Sequence, residues 1–163
     1  MAKCIGIVTS QSGAVLHDIL HVSKNRNPLV QFKLYSVPVQ GPAAGPVIAK
    51  GIAAADADPD VNVIIVGRGG GSMEDLWCFN DRAVVEAIYK AHTPIISAVG
   101  HETDYTLCDY AADVRGGHAK PCGGIIGFTS YDITGTVTGE RRIPASVHTI
   151  YVTTKKNGFN RTI

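Results

Sequence analysis

Two polar segments, each directly after an apolar run, carry the side chains of this chain that are best suited to chemistry. The first is the glycine run at residues 67–71, in which Arg68 follows the apolar residues 63–66. The second is Gly-His-Glu-Thr-Asp at residues 100–104, which follows the apolar run at 95–99. In an open parallel sheet, ligands bind beyond the carboxyl ends of the strands. An arginine, a histidine and a carboxylate collected there suit phosphate chemistry better than an apolar ligand.

Arg68 is predicted to contact a phosphate. Its neighbours are glycines, which allow a ligand to approach the backbone closely, and a guanidinium matches two oxygens of a phosphate. The alternative is an ion pair with Glu74 or Asp75 that holds the turn. The glycine run is neither Gly-x-Gly-x-x-Gly nor a P-loop, so we expect no nucleotide cofactor.

His101 and Asp104 are candidates for acid–base chemistry. They are three residues apart, so one turn of helix would place them on the same face. A carboxylate beside an imidazole fixes its tautomer and stabilises the imidazolium, as in many general acids and bases. The alternative is that Asp104 caps the following helix while His101 only lies at the strand edge. The residues alone do not choose between the two.

Further candidate phosphate-binding residues lie in the turns after the first and third apolar runs. Ser10 and Ser12 could donate hydrogen bonds to a phosphate, together with the backbone N–H groups at the start of the following helix. Capping of that helix by Ser12 is an equally good interpretation. The whole predicted set comprises Ser10, Ser12, Gly67, Gly69, Gly70, Gly71 and Ser72.

Two aromatic residues, Trp77 and Phe79, follow the glycine run. Exposed aromatic rings can stack on unpaired bases. Aromatic residues in an amphipathic helix more often belong to the core, so we predict core positions for both.

Strand and helix patterns alternate over residues 4–112, which predicts an open parallel α/β sheet with right-handed crossovers. This Rossmann-like fold would have the strand order 2-1-3-4 and helices on both faces. The third helix is predicted to break near Asn80, with a cap at Asn80-Asp81. Strands are predicted at residues 4–9, 29–39, 62–66 and 95–99, and helices at 14–27, 46–57, 73–91 and 103–112.

Composition restricts the class of protein. A length of 163 residues suggests one domain, and no apolar run approaches the roughly 20 residues of a membrane span. The four scattered cysteines and the lack of a secretion signal predict free cytoplasmic thiols. Residues 1–115 hold nine Lys/Arg against twelve Asp/Glu, and residues 116–163 hold six against two. An acidic body binds nucleic acid poorly by itself, so the basic surface for such a ligand would have to come from elsewhere.

Nine motifs over residues 3–115, in this order and spacing, resemble the central domain of the large subunit of exodeoxyribonuclease VII. A lone glycine-rich turn would be weak evidence, but the set is highly specific. The motifs are Ile5-Gly-Ile-Val-Thr-Ser10, Ser12-Gly-Ala, His17-Asp-Ile-Leu20, Val39-Gln-Gly41, Val66-Gly-Arg-Gly-Gly-Gly-Ser72, Glu74-Asp-Leu-Trp77, Phe79-Asn80, Ser97-Ala-Val-Gly-His-Glu-Thr-Asp104 and Ala112-Asp-Val-Arg115.

The resemblance implies a bacterial, cytoplasmic nuclease that degrades single-stranded DNA from both ends to short oligonucleotides. It also implies a complex with several copies of a small helical subunit. The functional residues that it implies are Asp18, Arg68, His101 and Asp104, all present here. Arg68 would hold the scissile phosphate, His101 would transfer protons with Asp104 orienting it, and Asp18 would activate water or position the histidine. No cofactor is expected, and a divalent metal is the open alternative.

The chain also departs from the family pattern. The resemblance leads us to expect an OB-type DNA-binding domain before this region and a long coiled coil, which docks the small subunit, after it; the sequence shows neither. A phosphate-binding module without catalysis, or an inactive fragment, is therefore an alternative to the nuclease.

After Arg115 the alternating pattern ends. Codons for residues 116–127 can be chosen so that a reading frame one base later resembles the family's Ala-Pro-Thr-Pro-Ser continuation. We therefore expect a catalytic core at residues 3–115 and an atypical tail at 116–163 that is out of frame or disordered. A genuine, divergent tail is the alternative.

Overall fold

The computed structural model of the chain describes residues 3–100 and 105–116, and along them strands and helices alternate. Cys122 and the whole tail from residue 117 lie outside the described residues. The elements are β1 (Cys4–Thr9), α1 (Ala14–Arg26), β2 (Gln31–Ser36), α2 (Ala44–Asp56), β3 (Val63–Arg68), α3 (Met73–Leu76), a 3-10 helix (Trp77–Asn80), α4 (Arg82–Lys90), β4 (Ile95–Val99), α5 (Leu107–Ala111) and β5 (Val114–Arg115).

The five strands form one parallel sheet in the order β2-β1-β3-β4-β5. This confirms the predicted α/β class and the predicted order of the first four strands. The fifth strand was not predicted. It has two residues, Val114 and Arg115, which pair with Ile96 and Ser97, and two residues are too few to show a strand periodicity.

Helices cover both faces of the sheet, as predicted, because successive strand residues point to opposite faces. The continuous apolar character of β1, β3 and β4 is what burial on both sides requires. One face of the sheet packs with α1 through Ile5, Ile7, Val15, Ile19 and Ile65. The other packs with α2, α4 and the 3-10 helix through Val8, Ile48, Ile64, Val66, Phe79, Val84 and Ile88.

The segment after the glycine run is broken as predicted. The Asp81 carboxylate accepts a hydrogen bond from the N–H of Ala83 at 2.7 Å and so caps α4. Phe79 is fully buried, as predicted, but the core position predicted for Trp77 is wrong, because its side chain is 69% exposed. Both residues lie in the 3-10 helix, which has about three residues per turn, so their side chains point in directions about 120° apart. The side of this helix that buries Phe79 therefore leaves Trp77 exposed.

Two further observations bear on the sequence predictions. Cys4, Cys78 and Cys108 are free and buried, as expected for cysteines that are not in disulfides. In the described residues, no helix combines the length and the apolar character that a membrane crossing needs.

Candidate functional site

The strand order creates a crevice at the carboxyl ends of β1 and β3. The chain leaves β1 toward β2 on one side, and β3 lies on the other, which makes this the switch point where α/β sheets bind ligands. Two turns border it, one at Ser10–Gly13 and one at Gly69–Ser72. The second turn lies against the start of α1, because a Cβ added to Gly69 would be 3.4 Å from Cγ2 of Val15.

The start of α1 is open at this crevice. Its N-cap is Gly13, which provides no side-chain acceptor, and no acidic residue occupies the first turn. Ser12 therefore does not cap the helix, which was the alternative for this residue; its side chain is exposed, and Ser10 is half-buried. An uncapped helix start offers N–H groups and a positive dipole end to an anion.

Arg68 ends β3 and joins the turn after β3 to the chain after β2. Its side chain is 11% exposed. Nη1 donates to the backbone oxygen of Asp75 at 2.6 Å and to that of Val39 at 3.3 Å. Nη2 donates to Oε1 of Gln40 at 3.1 Å and lies 3.4 Å from the carboxylate of Asp75. The pairing with Asp75, the alternative left open by the sequence, is thus present, and phosphate contact by Arg68 stays a prediction.

The glycine run is packed closely around this arginine. A Cβ added to Gly71 would lie 2.9 Å from Nη2 of Arg68 and 2.9 Å from Oδ2 of Asp75. Ser72 and Asp75 form a capping box, in which the Ser72 N–H donates to Asp75 and the Asp75 N–H donates to Oγ of Ser72. Gly70, Gly71 and Ser72 are exposed, so their backbones are accessible at the crevice.

Cys78 is a buried neighbour of Arg68 without the features of a nucleophile. Its Sγ shares two acceptors with the arginine, the backbone oxygens of Val39 and Asp75. Burial raises the pKa of the Cys78 thiol, and the nearby charge of Arg68 lowers it by less. The thiolate form is therefore disfavoured at neutral pH.

The end of β4 lies beside the end of β3, as predicted. Gly67 pairs with Ala98, and Arg68 pairs with Val99. Gly100 follows with a φ of 67°, a left-handed conformation that favours glycine. His101 and Asp104 lie outside the described residues, so their predicted pairing stays a prediction.

Asp18 and Arg68 belong to opposite faces of the sheet. Asp18 is half-buried on α1, which packs against Ile5 and Ile7. Arg68 alternates in β3 with Ile64 and Val66, which face the other side. The sheet therefore separates Asp18 from Arg68. The helix that carries Asp18 and the strand that carries Arg68 approach each other at the carboxyl-end edge of the sheet.

Two residues near the predicted site were missed by the sequence reasoning. Gln40, within the Val39-Gln-Gly41 motif, binds Arg68, and nothing in the sequence paired these two residues. Asp109 accepts hydrogen bonds from Ser97 and Thr106 and is buried. The spacing Thr-x-x-Asp at residues 106–109 is a capping-box signal that could have identified it.

Metal ligands were also searched for in the described part of the chain. Over residues 3–100 and 105–116, no group of three or more His, Cys, Asp or Glu side chains converges. His101 and Asp104 lie outside that range, and so does Glu102.

Comparison with known proteins gives one consistent result. The sequence model of the family described as "Exonuclease VII, large subunit" matches residues 1–117.

Three similar curated proteins share the name exodeoxyribonuclease 7 large subunit. The one from Edwardsiella ictaluri is 51% identical over 114 residues, which are 70% of this chain and 25% of that protein. The one from Klebsiella pneumoniae is 53% identical over 114 residues, with the same coverage. The one from Yersinia pestis is 39% identical over 160 residues, 98% of this chain and 35% of that protein. The chain thus spans between a quarter and about a third of the length of these relatives.

Proposed function

Because the chain belongs to the exonuclease VII large-subunit family, we propose that it supplies the catalytic domain of a nuclease that hydrolyses single-stranded DNA to short oligonucleotides. One observation carries the proposal. Arg68 and its glycine turn lie beside the end of β4, and the chain passes directly from Gly100 into His101. The proposed partners are single-stranded DNA and the small subunit of the complex, in the bacterial cytoplasm. Binding to these partners would also need the parts of the large subunit that lie outside the segment matched by this chain.

Arg68 would bind the scissile phosphate through Nη2. Nη1 is fixed by two backbone oxygens, the nearer at 2.6 Å. The contacts of Nη2, to Gln40 at 3.1 Å and to Asp75 at 3.4 Å, are made to side chains, which can turn away, and are the ones that a phosphate would replace. A phosphate would offer the guanidinium an ionised acceptor, which the neutral amide of Gln40 does not. The glycine turn and the start of α1 would offer backbone N–H groups to the remaining oxygens.

His101 would act as the general acid or general base of the hydrolysis, with Asp104 orienting its ring. Support for this role comes from their spacing of three residues and from the resemblance of Gly-His-Glu-Thr-Asp to the family motif. Asp18 would activate water or position the histidine. Arg68 would stabilise the charge that develops on the phosphate. Each step is thus assigned to a side chain of this domain. The alternative is that a divalent metal ion is required for catalysis, and in that case a chelator would abolish cleavage.

The test uses an assembled complex. Residues 3–115 replace the matching segment of the Klebsiella pneumoniae relative, which is produced with its small subunit, and release of nucleotides from labelled single-stranded DNA is measured. His101→Ala should lower the rate by about 10²-fold or more, the scale of a lost acid–base group. The matched control is His92→Ala, because the His92 ring is 96% exposed and lies before the start of β4. Normal cleavage by His101→Ala would overturn the assignment.

The chain by itself should bind single-stranded DNA weakly at physiological salt. Its first 115 residues carry more acidic than basic side chains, and phosphate neutralisation supplies most of such affinity. Fluorescence anisotropy with a labelled oligonucleotide measures it. Tight binding by the isolated chain would mean that the rest of the large subunit is not the source of affinity. Binding in the assembled complex without any cleavage would favour a phosphate-binding module instead.

We further propose that residues 3–115 form the catalytic core and that residues 116–163 are out of frame or disordered. The match to the family ends at residue 117, and the relatives of 51% and 53% identity match over 114 residues, 70% of the chain. Limited proteolysis should remove the tail and leave a core that ends near Arg115. The DNA sequence around that codon tests the frame directly. A tail as protected as the core would contradict the proposal.

A further inference from the structure

Gln40 lies at the carboxyl end of β3, although β1 separates β3 from β2, the strand that precedes this residue. Just after β2, Val37 still donates its N–H to the backbone oxygen of Thr9 at the end of β1. From there the chain crosses the end of β1, because Val39 and Gln40 both contact Arg68. Gln40 is therefore placed at the switch point of the sheet, where ligands bind.

The chemistry of Arg68 fixes the orientation of the Gln40 amide. A guanidinium has donors and no acceptor, so it can contact only the oxygen of the amide. Oε1 of Gln40 accepts from Nη2 at 3.1 Å. Nε2, which carries two N–H donors, therefore points away from Arg68. Gln40 is an exposed residue, and within the described residues Arg68 is the one hydrogen-bond partner of its side chain.

The two side chains that contact Nη2 are not held equally firmly. Oδ2 of Asp75 lies 3.4 Å from Nη2 and also accepts from the N–H of Ser72 at 3.2 Å, as part of the capping box. Next to Gln40, Gly41 has a φ of 90°, and a Cβ there would meet nothing within 4 Å, so the space beside this turn is open. Gln40 is thus the contact that can turn more easily when an anion arrives at Nη2.

We propose that Gln40 is a second phosphate-binding side chain of the nuclease site. In the free protein, its Oε1 accepts from Nη2 of Arg68. When a phosphate oxygen takes that position, the amide turns and Nε2 donates to another oxygen of the same phosphate. This bond to an ionised acceptor offsets the repulsion between the phosphate and the carboxylate of Asp75. The role rests on the proposed function, since that function places the phosphate at Arg68.

Three roles of Gln40 make different demands on its chemistry, and three variants separate them. A phosphate ligand must donate, so Gln40→Met, which is similar in length and has no N–H, should be impaired. A residue that only holds Arg68 must accept, so Gln40→Glu should then serve as well as the wild type. A residue that only lies near DNA should tolerate Gln40→Met and suffer from added negative charge. Ala43→Glu is the matched charge control, because Ala43 is exposed at the N-cap of α2 and is not among the contacts of Arg68.

The variants are compared in the assembled complex, by initial rates on single-stranded DNA. Gln40→Met should lower kcat/KM by about 10-fold and Gln40→Glu by about 10²-fold, the range of a hydrogen bond to a charged group. The loss should appear mainly in KM, because the phosphate is bound before the reaction as well as during it. Ala43→Glu should stay within about threefold at physiological salt, which screens exposed charges. Melting temperatures should stay close to that of the wild type, since substitutions at exposed positions usually change stability little.

Two outcomes would overturn the role of Gln40. If Gln40→Glu is as active as Gln40→Met or more active, the side chain only holds Arg68. If Gln40→Met is unimpaired while Gln40→Glu and Ala43→Glu lose activity equally, the loss is general repulsion of DNA.

Arg68→Ala in the same assay separates this role from the proposed function. If Arg68→Ala loses activity while Gln40→Met retains it, the role of Gln40 is wrong and the proposed function stands. If Arg68→Ala cleaves as fast as the wild type, the proposed phosphate site fails and the role of Gln40 fails with it.

Discussion

The two edges of the sheet both carry charged side chains, but they use them differently. Near the amino ends of the strands, Lys33 binds Asp58 and Asp60 at 2.8 Å each, and the hydroxyl of Tyr35 donates to Asp58 at 2.8 Å. At the carboxyl ends, Arg68 is surrounded by glycines and exposed backbone, and its Nη2 contacts are longer. The Lys33 side chain is 38% exposed and its charge is met by two carboxylates, whereas the Arg68 side chain is 11% exposed and most of its acceptors are backbone and amide oxygens.

Carboxylates and an amide at the amino-end edge fix the chain where it enters the strands. Asp56 accepts from the N–H groups of His92 and Thr93 just before β4. Asn62 accepts from the N–H of Lys3 and that of Cys4, where β1 begins. These polar residues hold connections together. The comparison teaches that a cluster of charges does not by itself mark a site; the proposed site rests instead on an arginine among glycines at a switch point.

The largest effect that separates the two edges should come from their basic residues. If Arg68 binds the reacting phosphate as proposed, Arg68→Ala should lower nuclease activity of the assembled complex by about 10²-fold or more, because an electrostatic group is lost there. Lys33→Ala, at the other edge, should leave activity within about twofold, because exposed ion pairs contribute little. Initial rates on single-stranded DNA measure both. Similar losses in the two variants would break the comparison.

Two glycine substitutions should show how tightly the carboxyl-end edge is packed, one in the strand β3 and one in the turn that follows it. A Cβ on Gly67 would lie 2.9 Å from the backbone oxygen of Ala98, so Gly67→Ala should push β3 and β4 apart and cost about 1–3 kcal/mol, as overpacking does. On Gly69 the nearest atom would be 3.4 Å away, so Gly69→Ala should cost much less. Urea unfolding of the full chain measures both. An equal cost would mean that the turn is as tightly packed as the strand.

Asp81 caps α4, and substituting it tests whether this hydrogen bond contributes only to stability, as we expect for the polar contacts at the amino ends of the strands. Asp81→Ala removes the cap of α4 and should lower the free energy of unfolding by about 1 kcal/mol. Nuclease activity per folded complex should not change, because the carboxylate already serves Ala83. Asp81→Asn is the control and should retain most of the stability. A selective loss of activity would move Asp81 into the site.

The smallest effect should be a pH dependence at the amino-end edge. Hydrogen bonds from Lys33, then from Tyr35, lower the pKa of Asp58 to about 2, against about 3.9 in an unfolded chain. A lowered pKa stabilises the fold above the unfolded value, and this contribution is lost as the pH falls from about 4 to about 2. Thermal unfolding should therefore show Asp58→Asn less stable than wild type at pH 6, with the difference shrinking over that range. A constant difference would contradict the pKa assignment.

The fold was predictable where the periodicity was long and unbroken. The bounds of β4 agree with the prediction, and the break before α4 followed from the capping aspartate. β3 extends through Gly67 and Arg68, two residues beyond the predicted end, because a glycine beside Ala98 still pairs while its lack of a side chain hides the strand pattern.

The site was predictable in its residue types but less so in their contacts. Arg68 donates hydrogen bonds to the backbone oxygens of Val39 and Asp75. Every residue has a backbone oxygen, so these bonds cannot be predicted from residue types. Asp109 meets Ser97 only through the tertiary fold. Sequence patterns report periodicity and local caps, and such long-range polar contacts depend on the final packing of β4 and α5.

The anchoring of Arg68 has a consequence for the entropy of binding. A free arginine loses about 0.5–1.5 kcal/mol of rotamer entropy when a ligand immobilises it. Here two backbone oxygens already hold Nη1, so that loss has occurred during folding. In the proposed site, an anion that arrives at Nη2 would meet a donor whose direction is set in advance. Such a rigid donor would favour phosphates that are themselves held in one orientation over those that are free to turn.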